Sequence, residues 1–568
     1  MAQDIDEKNK IMGSEPAVQE EKAQVDDSIT FDENKDKNQD PVLKNQYTIH
    51  LDKPDYGMSH DYAESFQTTD EKTGNVELVA LVIRGRYPIR HKEFHTLYSL
   101  QLPGLLGLRD WGVIHWPIDD TYRYVIIMDR QNHEVLMSDL SRDREPINQE
   151  VIHKYLIPPI AYALRDITDR GVTHCNIRPH NIYFNPRDGS HAVLGECISS
   201  LPGILQPVDY ETIERGMTDP NAKGPGFADD DIYALGATVA VLIRGSNPLD
   251  GLSDQEIIDR KISKGSFSAF SDGLKLNGAM SEFLRGTLID NKKQRWDIAQ
   301  LIEWVEGRRM TPRQKTGAKK ANRGLEFNEE RYYRKVDLAH ALPDNPSELA
   351  ELVDSKKLHK WLERSVGDSG GPEKINEAIR RASTGGKKQG YEDRLVAHVA
   401  MALDPSGPIR YKSKTVMPYG LPGAIIMAFL REQDLSEYID FIKIRLCWFW
   451  HSLPENAIGD ATERMQIYDT CSKLITRSGL TNGLERVIYE LSSDVPCLSP
   501  LMERFYVVNC KNLLLALDQS EAPEPGLPSI MDAHIASFIL TRDKKDQSGL
   551  MKLVQDNDRL NRNLAVLT

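Results

Sequence analysis

The stretch THCNIRPHNIYF, Thr173 to Phe184, places His174 ahead of two asparagines, Asn176 and Asn181. Twenty residues beyond Asn176, the strand-like run AVLGECI carries an acid, Glu196. An amide and a carboxylate, Asn181 and Glu196, are oxygen donors of the kind that hold a hard divalent cation. Proton abstraction is a different matter, because Asn176 is a neutral amide and cannot serve as a carboxylate base at pH 7. The stretch has the outline of a catalytic loop whose reactive carboxylate is missing.

The elements around it follow from periodicity. Short β-type runs, ELVALVIRG and YRYVIIMDR, precede the loop and predict a small sheet from Tyr47 onward. A helical run, NQEVIHKYLIPPIAYALRDITDRG, leads directly into the loop, with Val151, Tyr155, Ile160, Leu164 and Ile167 near one face and Gly171 at its end. Further helices are expected at DDDIYALGATVAVLIRG and through Gly307. The basic segment Arg308 to Arg323 lacks apolar periodicity and reads as a linker. Amphipathic helical patterns without a fixed repeat length then run to the C-terminus, which predicts an irregular all-α domain over 324–568. Residues 1–46 are acidic and nearly devoid of aromatics, and they read as a disordered tail.

Composition limits the possible functions. A formal net charge of −14 argues against wholesale nucleic-acid binding, which needs a basic face to displace counterions. The six cysteines form no CxxC pairs, so neither a zinc site nor a disulfide framework is indicated, and a reducing cytoplasm is the simplest compartment. The opening MAQDIDEKNK is polar and acidic where a cleavable signal would be basic and then apolar, so no signal peptide is expected. The apolar run LPGAIIMAFL is about half of the roughly 20 residues needed to cross a bilayer, and it reads as a buried helix. The cluster CWFW, at helical spacing with Ile442 and Leu446, reads as core.

Over Tyr47 to Gly307 the order of motifs resembles the protein kinase family. THCNIRPHN is similar to the catalytic loop H-R-D-L-x-x-x-N, with His174 and Asn181 at its ends. Glu196 falls at the aspartate of the D-F-G motif, and Thr212 to Glu214 resembles A-P-E. Asp231, in DIYALG, resembles the aspartate that opens the long central helix, and Arg295 the arginine that pairs with the A-P-E glutamate. The resemblance implies an α+β, two-lobed kinase-like domain, with a small β-rich lobe and a helical lobe, followed by the all-α domain. It also implies that His174, Glu214, Asp231 and Arg295 are structural: Glu214 paired with Arg295, and Asp231 bracing the loop backbone.

The chemical positions depart from the family. LVALVIRG superposes on the V-A-I-K strand with Val82 at the lysine, and the preceding turn, PDYGMSHDYAES, has one glycine where the family has three. Asn176 replaces the catalytic aspartate. Arg178 keeps a positive charge where the family has lysine. The resemblance therefore implies a pseudokinase, a scaffold or regulatory protein with protein partners, no membrane association and no required cofactor. ATP with Mg²⁺ or Mn²⁺ enters only through Asn181 and Glu196. The rival reading is an atypical active Ser/Thr kinase or nucleotidyl transferase in which those two residues hold the metal and positioning replaces the base.

Overall fold

The computed structural model describes residues 39–98, 100, 102–130, 145–187, 189–310, 320–384, 386, 390–457, 459–520 and 531–542. Its N-terminal lobe is one antiparallel six-stranded sheet: β1 (Val42–Leu43), β2 (Tyr47–Pro54), β3 (Ala63–Asp70), β4 (Asn75–Ile83), β5 (Leu108–Trp116) and β6 (Thr121–Asp129), in the order β1-β2-β3-β4-β6-β5. The sheet begins at Val42, inside the segment expected to be an unstructured tail. Asp40 accepts a hydrogen bond from Leu51 N–H at 3.1 Å, which ties that segment to β2. Residues 1–38 lie outside the described residues.

The central strand, β4, is apolar on both faces because both are covered. Val79, Leu81 and Ile83 share a core with Phe94 and Leu97 of helix α1 (His91–Tyr98). The alternate residues Leu78, Ala80 and Val82 pack into a second cluster with Phe66, Trp116, Val125 and Ile127. The sheet curls until its edges meet: a Cβ on Gly112 of β5 would stand 2.7 Å from Leu43 of β1.

The second lobe is helical. The run into the catalytic-like loop opens with a π-turn at Ile152–Leu156 and continues as α2 (Ile157–Thr168), which buries Ile160, Leu164 and Ile167. The central helix α3 (Ala228–Arg244) is buried almost along its whole length, begins with Asp229, Asp230 and Asp231, and stops at Gly245 in the left-handed region. Between α2 and α3 lie the loop itself and the small hairpin of β7 (Ile182–Tyr183) and β8 (Val193–Leu194).

The C-terminal region is helical, with two short hairpins that periodicity did not predict: β9 (Leu325–Phe327) with β10 (Glu330–Tyr332), and β11 (Ile409–Tyr411) with β12 (Lys414–Val416). Most of the expected linker, residues 311–319, lies outside the described residues. Residues from Ala321 to Leu403 form a separate core, whereas those from Ala397 to Ile539 join the core of the two lobes. A boundary at 324 therefore does not divide the chain into two independently packed halves. Leu421–Leu430 is a buried helix, and Cys447, Phe449 and Trp450 are core residues. No helix among the described residues is long and apolar enough to cross a membrane.

Candidate functional site

The loop at the junction of the lobes is held by buried hydrogen bonds. Asp231, at the start of α3, accepts from the backbone N–H of His174 at 2.7 Å and of Cys175 at 2.8 Å. Those two bonds fix Cys175 in the left-handed region, φ 57°, which an L-residue reaches only at a cost of about 1–2 kcal/mol. Burial pushes the Asp231 carboxyl up to about 6 even though the two N–H bonds favour its ionised form. His174 is buried, accepts from Asn176 N–H through Nδ1 at 3.2 Å and donates through Nε2 to the Gly195 carbonyl at 3.1 Å. Burial holds its imidazole down to about 4, so it is a neutral strut.

Asn176 is committed at both ends of its amide. Its Nδ2 donates to the Glu196 carbonyl at 3.1 Å, and its Oδ1 accepts from Arg178 Nε at 3.0 Å. Asn181 Nδ2 donates to the carbonyls of Asn176 and Glu196, each at 2.8 Å. A Cβ on Gly195 would fall 1.9 Å from Asn181 Oδ1, so only glycine fits at that step of the strand end. Loop and strand end are thereby locked together.

The Glu196 carboxylate turns back on its own chain, accepting at Oε2 from the N–H groups of Ile198 and Ser199, each at 3.0 Å. Its other oxygen faces His60 Nε2 at 3.8 Å. His60 belongs to the turn between β2 and β3, where the resemblance puts a phosphate-covering loop, and it reaches across the cleft to Ser199 Oγ at 2.8 Å. Arg130, next after β6, donates through Nε to Asp55 of the same turn at 3.0 Å. Of the two candidate ligands, the Glu196 carboxylate is engaged at Oε2 as a turn cap, and the Asn181 amide nitrogen bonds two carbonyls. Among the described residues, the one cluster of three close metal-ligating side chains, Asp40, His50 and Asp52, lies in the sheet lobe and away from the loop.

Val82 does not face the cleft. The side-chain period of two puts it inside the curled sheet, so the expected alignment is one residue out of register with the cleft face. The β4 residues that do share the core of α1 are Val79, Leu81 and Ile83, all apolar, and no lysine occupies that face in either register. A residue missed by sequence reasoning ties α1 to the loop instead. Arg90, buried at the mouth of α1, donates to the carbonyls of Thr173, His174 and Cys197 at 2.7, 3.2 and 2.9 Å. It sits in a loop with no periodicity to flag it. His60 was equally silent in sequence.

The expected pair between Glu214 and Arg295 does not form. Arg295 is drawn to the start of α3, where Asp229 and Asp230 stand 3.4 and 3.6 Å away, and it also donates to the carbonyl of Ile289 at 2.8 Å. Glu214 is left to burial, which pushes its carboxyl up to about 7 against the pull of Arg295. The ion pair that holds this segment is Glu211 with Arg215, at 2.8 Å, joined by Lys223 at 3.2 Å. The i, i+4 spacing of Glu211 and Arg215 was a signal that could have found it.

A curled antiparallel sheet carrying one helix, set over a helical lobe whose central helix braces a buried loop by an aspartate, is a protein kinase-like fold. No family model matches the chain. Among curated proteins it is similar to the serine/threonine-protein kinase dkf-2 of Caenorhabditis briggsae, 21% identical over 199 residues covering 33% of this chain and 16% of that protein. It is also similar to serine/threonine-protein kinase D3 of Homo sapiens, 18% identical over 258 residues, 41% of this chain and 27% of that protein. A third relative is a probable serine/threonine-protein kinase, CE0033, of Corynebacterium efficiens, 23% identical over 226 residues, 37% of this chain and 33% of that protein. The matched stretches thus span a third or less of these relatives' lengths. Among solved structures, a crystal structure of Rad53 1–466 in complex with AMP-PNP aligns with a TM-score of 0.36 and 16% identity, over 47% of this chain and 67% of that one.

Proposed function

We propose that this chain is a pseudokinase, a kinase-like protein without phosphoryl transfer that works as a scaffold or regulatory binding protein for protein partners. The observation that carries the reading is the Asn176 amide, hydrogen-bonded at 3.1 Å to the Glu196 carbonyl and at 3.0 Å to Arg178. A neutral amide at the position of the base is too weakly basic to take a hydroxyl proton at pH 7, and this one is held in place at both ends. The apolar cleft face of β4, the turned-back Glu196 and the occupancy of the cleft by His60 support the same reading. On it, His174, Asp231 and Arg295 shape the fold and take no part in chemistry. All six cysteines are free thiols, which suits the reducing cytoplasm.

The test is a thermal-shift titration with ATP, with and without Mg²⁺ or Mn²⁺, run beside a radiolabelled phosphotransfer assay. A ligand that binds only the native state must raise the melting temperature by mass action. No shift and no transfer are expected. Metal-dependent stabilisation, or transfer above a Glu196→Ala control, would replace this reading with the atypical transferase.

A further inference from the structure

Two lobes separated by a cleft ordinarily rotate against one another. In this chain a third body grips both. On the sheet lobe, Arg86 donates to the Ser499 carbonyl at 2.8 Å, the Tyr506 hydroxyl to the Tyr87 carbonyl at 2.8 Å, and Tyr122 N–H to the Arg504 carbonyl at 2.7 Å. On the helical lobe, Asp219 N–H donates to the Thr415 carbonyl at 2.9 Å and Met417 N–H to the Ala222 carbonyl at 3.1 Å. Gly420 is pressed so closely on Ala222 that a Cβ would stand 1.8 Å from its carbonyl oxygen. At the cleft mouth Arg431 reaches the Tyr62 hydroxyl, next to the turn that carries His60, at 3.2 Å.

These are not surface contacts laid over a mobile joint. The apolar core runs unbroken from the sheet through the helical lobe and into the C-terminal helices, and on the sheet side Phe505 stacks on Tyr122 with ring centroids 5.2 Å apart. Rotation of either lobe would open buried apolar surface and strip partners from buried backbone groups at the same time. We infer that the described residues between 397 and 542 are a built-in brace that fixes the two lobes in one closed arrangement, so that no hinge motion admits a ligand to the cleft.

The inference concerns motion and stands apart from phosphoryl transfer. It is tested by electron–electron resonance between spin labels at Val76→Cys, at the exposed start of β4, and Lys275→Cys, on the helical lobe, in a Cys510→Ser background. The full chain should give one narrow distance distribution that saturating ATP with Mg²⁺ does not move. Arg86→Ala with the isosteric Tyr506→Phe should at least double its width. A broad or two-peaked distribution in the otherwise unaltered chain, or one that shifts with nucleotide, overturns the brace. So does a folded Arg86→Ala/Tyr506→Phe protein whose distribution keeps its original width. The first measurement decides the matter even if the double variant fails to fold.

Discussion

His60 and Ser199 are 139 residues apart in sequence and meet across the cleft with His60 Nε2 at 2.8 Å from the Ser199 hydroxyl. Because His60 Nδ1 accepts from Tyr62 N–H at 3.2 Å, the ring proton sits on Nε2 and is donated to Ser199. The pair is a latch between the β2–β3 turn and the strand end, and it excludes a role for His60 as a base toward Ser199.

Removing the latch should loosen the turn locally. His60→Ala is expected to lower the hydrogen-exchange protection of residues 55–62 by about tenfold, the equivalent of one net hydrogen bond. Exchange mass spectrometry at peptide resolution reads this directly. Unchanged protection would mean that Arg130 and the turn's own bonds suffice.

Asp231→Asn keeps the shape of the side chain but can accept only one of the two N–H bonds now made by His174 and Cys175. One buried donor is then left facing an amide NH₂. A stability loss of about 2–4 kcal/mol is expected in urea denaturation. A loss under about 0.5 kcal/mol would show that the left-handed turn at Cys175 holds without its brace.

Arg295→Ala should cost about 3–5 kcal/mol, because it abandons Asp229 and the buried carbonyls it serves. In a double-mutant cycle its coupling to Asp229→Asn should exceed about 1 kcal/mol, and its coupling to Glu214→Gln should stay under about 0.5 kcal/mol. The opposite ranking would restore the Glu214–Arg295 pair that the structure lacks.

Glu214 gives a pH signature. Its carboxyl is raised by burial from 4.5 to about 7, so between those values the folded chain holds a proton that the unfolded chain has lost. Its contribution to stability is full below pH 4.5, falls as pH rises through 7, and is flat above that. Glu214→Gln should therefore stabilise the protein at pH 8, by up to about 3 kcal/mol, and make no difference near pH 4. Melting temperatures of both proteins across that range test the sign, and a variant less stable at pH 8 contradicts it.

Local signals in the sequence went a long way. The apolar runs of β4 and β6, the helix ending at Gly171 and the DDD start of α3 are read from neighbours a few residues apart, and each forms where expected. Positions set by long-range packing were harder. Val82 fell on the wrong face because a fully apolar strand carries no alternation to fix its register. Arg295 found Asp229 and Asp230 in place of Glu214 because three carboxylates compete for one guanidinium, and only the fold decides which is nearest. His60 and Arg90 act through partners far away in sequence, and nothing in their own neighbourhoods announces them.

The bond between Arg504 and Asp120, 2.9 Å long, closes a loop of 384 residues, and that between Arg86 and Ser499 closes one of 413. A ribosome adding 5–20 residues per second needs roughly 20–80 s to travel that distance. For most of that interval the sheet lobe is complete in sequence but lacks Phe505 and Tyr506, which pack on Tyr122 and Tyr124. The contacts made by residues 499–506 thus also set a timing: until those residues are made, this aromatic surface has no cover from them.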